Sequence, residues 1–120
     1  MKKLSLILAV LLALVVSVPA IAADAVNWST KTADAAITSG RVDFHGITVT
    51  PDGTNAVTVA IYDNTTGSGS KLAPSMTFAG NGGTQFYAPP YPKACLNGIY
   101  VDVTVAGGGT VEYTVDYEKR

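Results

Sequence analysis

From Val57 to Tyr62 apolar and polar residues alternate: Val57, Val59 and Ile61 fall on one side, Thr58, Ala60 and Tyr62 on the other. A period of two is the mark of a strand with one face buried. The pattern returns twice near the C-terminus. Ile99, Val101, Val103 and Val105 oppose Tyr100, Asp102 and Thr104, and Val111, Tyr113, Val115 and Tyr117 oppose Glu112, Thr114, Asp116 and Glu118. Val42 to Thr50 is rich in β-branched and aromatic residues and ends at Pro51-Asp52-Gly53, a turn with φ fixed at Pro and free at Gly. Lys71 to Ala79 reads as a weaker strand interrupted by Pro74, which suits a sheet edge, and Thr84 to Ala88 as a short one. Between them lie the polar run Asp63 to Ser70, the flexible Gly80 to Gly83 and the stiff, extended Pro89-Pro90-Tyr91-Pro92. Ala106 to Gly109 is a tight connection, which predicts an antiparallel hairpin for the last two strands.

Past residue 22 no segment carries apolar residues at helical spacing over three turns. Six or seven short strands at roughly 8–12-residue intervals predict an all-β fold, an antiparallel β-sandwich of jelly-roll-like form, as a single domain. Val57, Val59, Ile61, Val101 and Val103 are its expected core, contributed by two facing sheets. Ala23 to Ser39 is Ala/Thr-rich with one bulky anchor, Trp28. It is expected either as an N-terminal arm that subunits exchange or as an ordinary first strand, ahead of a sandwich over 40–120.

The N-terminus changes the setting in which that domain works. Lys2 and Lys3 precede an apolar run from Leu4 to Val18, and Pro19-Ala20-Ile21-Ala22 ends it with small residues at the A-x-A positions. Residues 1–22 read as a secretory signal peptide, the run of roughly 15 residues being shorter than the ~20 of a spanning helix. The mature chain is expected to begin at Ala23, outside the cytoplasm (extracellular or periplasmic), with no membrane attachment after cleavage. Cys95 is the only cysteine, so an internal disulfide is excluded. It reads as a buried small hydrophobe, with intermolecular pairing as the alternative. Lys31, Arg41, Lys71, Lys93, Lys119 and Arg120 face nine acidic residues after the cleavage point. Without a basic patch, nucleic acid is not an expected partner.

Three stretches carry a resemblance: Gly46 to Asn55 (GITVTPDGTN), Val57 to Leu72 (VTVAIYDNTTGSGSKL) and Asn97 to Thr104 (NGIYVDVT). They resemble a group of small, β-rich phage and prophage proteins of uncharacterised or structural role. The likeness spans most of Gly46 to Tyr117 and rests on packing and turn residues. It implies a structural part in an assembly, and the signal peptide, which the group lacks, implies a relative working outside the cytoplasm.

Chemistry has few footholds. His45 and Cys95 are single, no serine sits in a G-x-S-x-G elbow, and no glycine-rich stretch ends in the Lys-Ser/Thr of a phosphate loop. Glu112, Asp116 and Glu118 are spaced as a solvated strand face. Asp63, Asn64 and Thr66, with Asp52 and Asp102 if turns converge, offer oxygens to calcium but lack the spacing of a dedicated loop, and an Asx-turn accounts for them. No catalytic residue, cofactor or metal is expected. The expected function is a secreted, non-enzymatic structural or self-assembling subunit, a homo-oligomer or part of a larger assembly, with Trp28 as an assembly contact. The alternative is a carbohydrate- or surface-binding module that takes a polysaccharide on exposed aromatics, Tyr87 and Tyr91 foremost, with Trp28, Tyr62 and Tyr100 beside them. Intact-mass measurement on exported protein is expected to find Ala23 as the first residue, and retention of Met1 to Ala22 would make the chain membrane-tethered.

Overall fold

The alternating runs become strands whose apolar members point inward. The computed structural model describes residues 26–120, and the expected signal peptide and residues 23–25 lie outside them. The strands are β1 (Val26–Lys31), β2 (Ala35–Ser39), β3 (Val42–Pro51), β4 (Val57–Tyr62), β5 (Met76–Phe78), β6 (Gln85–Tyr87), β7 (Lys93–Cys95), β8 (Gly98–Val105) and β9 (Val111–Lys119). They form two antiparallel sheets. One has the order β1-β9-β3-β6, with β7 also on β3, and the other the order β2-β8-β4-β5.

This order follows from one long ribbon folded back on itself. β1 pairs with β9, β2 with β8, β3 with β6 and β7, and β4 with β5. Rolling the ribbon up then lays β9 beside β3 and β8 beside β4. The product is the double-sheet wrapping of a jelly roll. β6 and β7 share one edge of β3, Tyr87 opposite Ile47 and Lys93 opposite Phe44, so Ala88 to Pro92 bulges outward beside His45 and Gly46. Three prolines in that bulge have no N–H to give a ladder.

The core closes between the sheets. Val42, Phe44, Ile47, Val49, Tyr113 and Val115 from the five-stranded sheet meet Val57, Val59, Ile61, Ile99 and Val101 from the other, all essentially inaccessible to solvent. The expected core residues of β4 and β8 therefore sit side by side in one sheet and not in two facing ones. Val103 is only half-buried at the sandwich's end, so it is a peripheral member.

Two further expectations change. Residues 26–39 form two strands, one at an edge of each sheet, and both pair within their own chain. The last two strands are not a hairpin: β8 belongs to the four-stranded sheet and β9 to the five-stranded one. Ala106–Gly108 is a single 3-10 turn, with Gly107 and Gly108 at positive φ (62° and 70°), that carries the chain across. Alternation fixes which side of each strand is buried, and it is satisfied equally by side-by-side and face-to-face neighbours. Val101→Ala is expected to cost about 2–3 kcal/mol, from lost transfer energy plus a cavity, and Thr104→Ala on the exposed side less than about 0.5 kcal/mol, as read from denaturant midpoints. Equal costs would invert the assigned faces.

Candidate functional site

The outer face of the five-stranded sheet is built by register. Directly opposed residues of antiparallel strands share a face. Trp28 stands opposite Asp116, and Asp116 opposite Gly46. In the adjacent row Thr30 opposes Thr114, Thr114 opposes Thr48, and Thr48 opposes Phe86. The Thr30 and Thr114 hydroxyls are 2.8 Å apart. Trp28 is 73% and Phe86 62% exposed, and three strand spacings, about 14 Å, separate their strands. The Phe86 ring leans over β3 where Gly46 leaves room: a Cβ at Gly46 would lie 3.1 Å from the ring and 2.9 Å from the Tyr87 carbonyl.

The aromatics expected to face a ligand divide. Tyr91, on the proline bulge, is 81% exposed. Tyr87 packs against the core opposite Ile47, so the pair offers no common platform. Tyr62 and Tyr100 are half-buried neighbours on the four-stranded sheet, with the Lys71 ammonium 5.8 Å from the Tyr62 ring centre. Phe86 is an exposed aromatic that alternation alone does not single out. In Gln85-Phe86-Tyr87 parity sends one ring in and the other out, but three residues are too few to fix the phase.

Cys95 is buried opposite Val42, and burial, with Asp63 and Asp43 nearby, pushes its thiol up to about 11. His45 occupies the β3 bulge, its Nε2 3.3 Å from the Glu118 carboxylate. The inaccessible Cys95 side chain also disfavours the intermolecular disulfide.

Three aspartates hold the corners of the sandwich. Asp34 accepts the Val103 N–H at 2.7 Å, and Asp63 accepts those of Leu96 and Asn97 at 3.1 and 2.9 Å. Asp52 accepts from the Thr54 and Asn55 N–H groups, from the Asn55 side chain and, across the molecule, from the Thr110 N–H. The Asn55 side chain first, then the backbone donors of Asn55, Thr54 and Thr110, hold the Asp52 carboxyl well below the usual carboxylate range. In the Asp63 to Ser70 loop, Asn64 makes the Asx-type contact, accepting the Thr65 N–H and donating to the Ser68 carbonyl. Among the described residues no cluster of three or more His, Cys, Asp and Glu could hold a metal ion.

Beside Asp52 an open cleft of about 460 Å³ separates the sheets, with Val105 and Val111 inside and Thr32, Thr50, Thr110 and Glu112 around it. It contains no cysteine, histidine or serine. Comparison with protein-family models, curated proteins and solved structures gives no match for this chain.

Because the folded-state pKa of Asp52 is depressed, its contribution is complete above the unfolded value near pH ~4 and falls away as the pH drops below it. Asp52→Asn is expected to lower Tm at pH 7 and to flatten the acid-side decline of Tm relative to the parent. Parallel Tm-against-pH curves for the two proteins would remove Asp52 from the acid response.

Proposed function

We propose that this chain is a secreted, non-enzymatic structural subunit that self-assembles, akin to the small phage-type β proteins but working outside the cytoplasm. The observation that supports the reading is apolar exposure confined to one of the two sheets. Val26, Trp28, Phe86, Tyr91 and Leu96 are the large apolar side chains exposed among the described residues, and every one belongs to the five-stranded sheet or to a connection leaving it. Exposed apolar residues of monomeric proteins are normally scattered, and their confinement to one sheet marks that sheet as an interaction surface. A domain of this size, without a disulfide, also gains stability from burial against another copy.

A second reading draws on the threonine rows. Thr30, Thr114 and Thr48 form a row that runs from the strand carrying Trp28 to Phe86, a polar strip that suits a polysaccharide. Removing residues 23–38 would strip an edge strand from both sheets, so a point variant separates the readings more cleanly. The chain beginning at Ala23 is expected to exceed monomer mass in light scattering as its concentration rises, and Trp28→Ala to shift that rise to higher concentration with an unchanged Tm. A protein that stays monomeric, yet loses retention on a polysaccharide column with the same substitution, would replace assembly with glycan binding.

A further inference from the structure

The exposed apolar side chains fall at two opposite edges of one sheet. Val26 and Trp28 stand on β1, at one edge, and Phe86 on β6, Tyr91 on the proline bulge and Leu96 just beyond β7 stand at the other. An isologous contact uses one self-complementary patch on both copies, whereas two unlike patches at opposite edges of one sheet fit a head-to-tail contact. We infer that copies of this chain associate head to tail, the Val26 and Trp28 edge of one seated on the Phe86, Tyr91 and Leu96 edge of the next. The inference rests on the assembly reading above and adds which surfaces meet.

Charge, area and shape favour this arrangement. Stacking two copies face to face would set Glu112, Asp116 and Glu118 of the inner strand β9 against their own counterparts, and juxtaposed like charges oppose association. Contact at the edges sets Asp116 and Glu118, the cross-strand neighbours of Trp28 and Val26, against the Phe86, Tyr91 and Leu96 edge of the next copy and not against their own counterparts. Trp28, Phe86 and Tyr91 bury ~150–250 Å² each when covered, so one contact hides about 500 Å² of aromatic surface, to which Val26 and Leu96 add. The smaller specific interfaces bury about 1,200 Å² in total, roughly 57% of it apolar, which is the scale these side chains reach.

The two edges also differ in the way a complementary pair should. Pro89 is buried and anchors the bulge, while Pro90, Tyr91 and Pro92 are exposed. A stiff proline segment costs little entropy to dock, and an exposed aromatic is its usual receptor. Trp28, on the opposite edge, supplies that aromatic. Missing N–H groups on the bulge and the three-residue length of β6 and β7 protect that edge from strand addition, so side chains make the contact. One edge of each copy remains open after docking, and association continues into a ring or a filament.

The test uses two variants of the chain beginning at Ala23, Trp28→Asp and the double variant Phe86→Ser/Tyr91→Asp, each checked for the parent's Tm. Where the double variant melts early, Tyr91→Asp alone replaces it. Each is expected to be monomeric in light scattering at concentrations where the parent forms larger species. Their equimolar mixture is expected to form a two-chain species and nothing larger, because one compatible pair of edges survives. A mixture that stays monomeric, or either variant assembling like the parent, overturns the head-to-tail arrangement and leaves self-assembly standing. A parent that is itself monomeric overturns self-assembly.

Discussion

A chain that changes sheet at six of its eight connections must satisfy, at each corner, backbone N–H groups that have left one ladder and not yet joined another. Short carboxylates do much of this here. Asp34, between β1 and β2, takes the Val103 N–H of β8; Asp52, after β3, takes that of Thr110 before β9; Asp63, after β4, takes two from the corner between β7 and β8. An ionised acceptor makes a stronger bond than a neutral one. Each bond also joins segments more than 30 residues apart, so it ties the ribbon's outer turns to its inner ones. Tyr113 adds a tie from the core, its hydroxyl donating to the Ala33 carbonyl at 2.6 Å. The β1–β2 corner is thereby held to β9 in one sheet and β8 in the other, in a domain whose only cysteine is free.

Strand faces were legible from the sequence because alternation is a local property. Val57, Val59 and Ile61, or Val111, Tyr113 and Val115, need no partner to declare which side is buried. Neighbours are a different matter. The Ala106 to Gly109 connection is as short as a hairpin loop, yet the Asp52 bond to Thr110 and the Ala106 N–H bond to the Ala56 carbonyl hold it against the β3–β4 corner. Both contacts come from more than 45 residues away, beyond any local pattern.

The same limit governs the candidate site. Trp28 could be singled out as the one bulky residue of its segment, and it is exposed. Tyr87 and Tyr91 are equivalent by residue type, but Tyr87 falls on the inward phase of β6 and packs on the core. Asp63 looked like a turn former or a ligand, and its carboxylate is occupied by a corner 33 residues on. In each case the residue type was informative and the partner, set by the rolling of the ribbon, was not.

Outward positions of a half-buried sheet ask only for side chains that tolerate water, and threonine fills them at 30, 48, 50 and 114. Trp28 and Phe86 occupy the same kind of position. Neither is buried in the core, and the corners are held without them. The contact of Phe86 with the Gly46 bulge steadies the ring but leaves most of it in solvent. Since the fold of the described residues does not require large apolar groups at these places, their solvation cost is offset only when something beyond those residues covers them. The proline bulge points the same way: a smooth edge strand beside β3 would continue from β6 into β7, whereas this chain breaks it and sets Tyr91 outward.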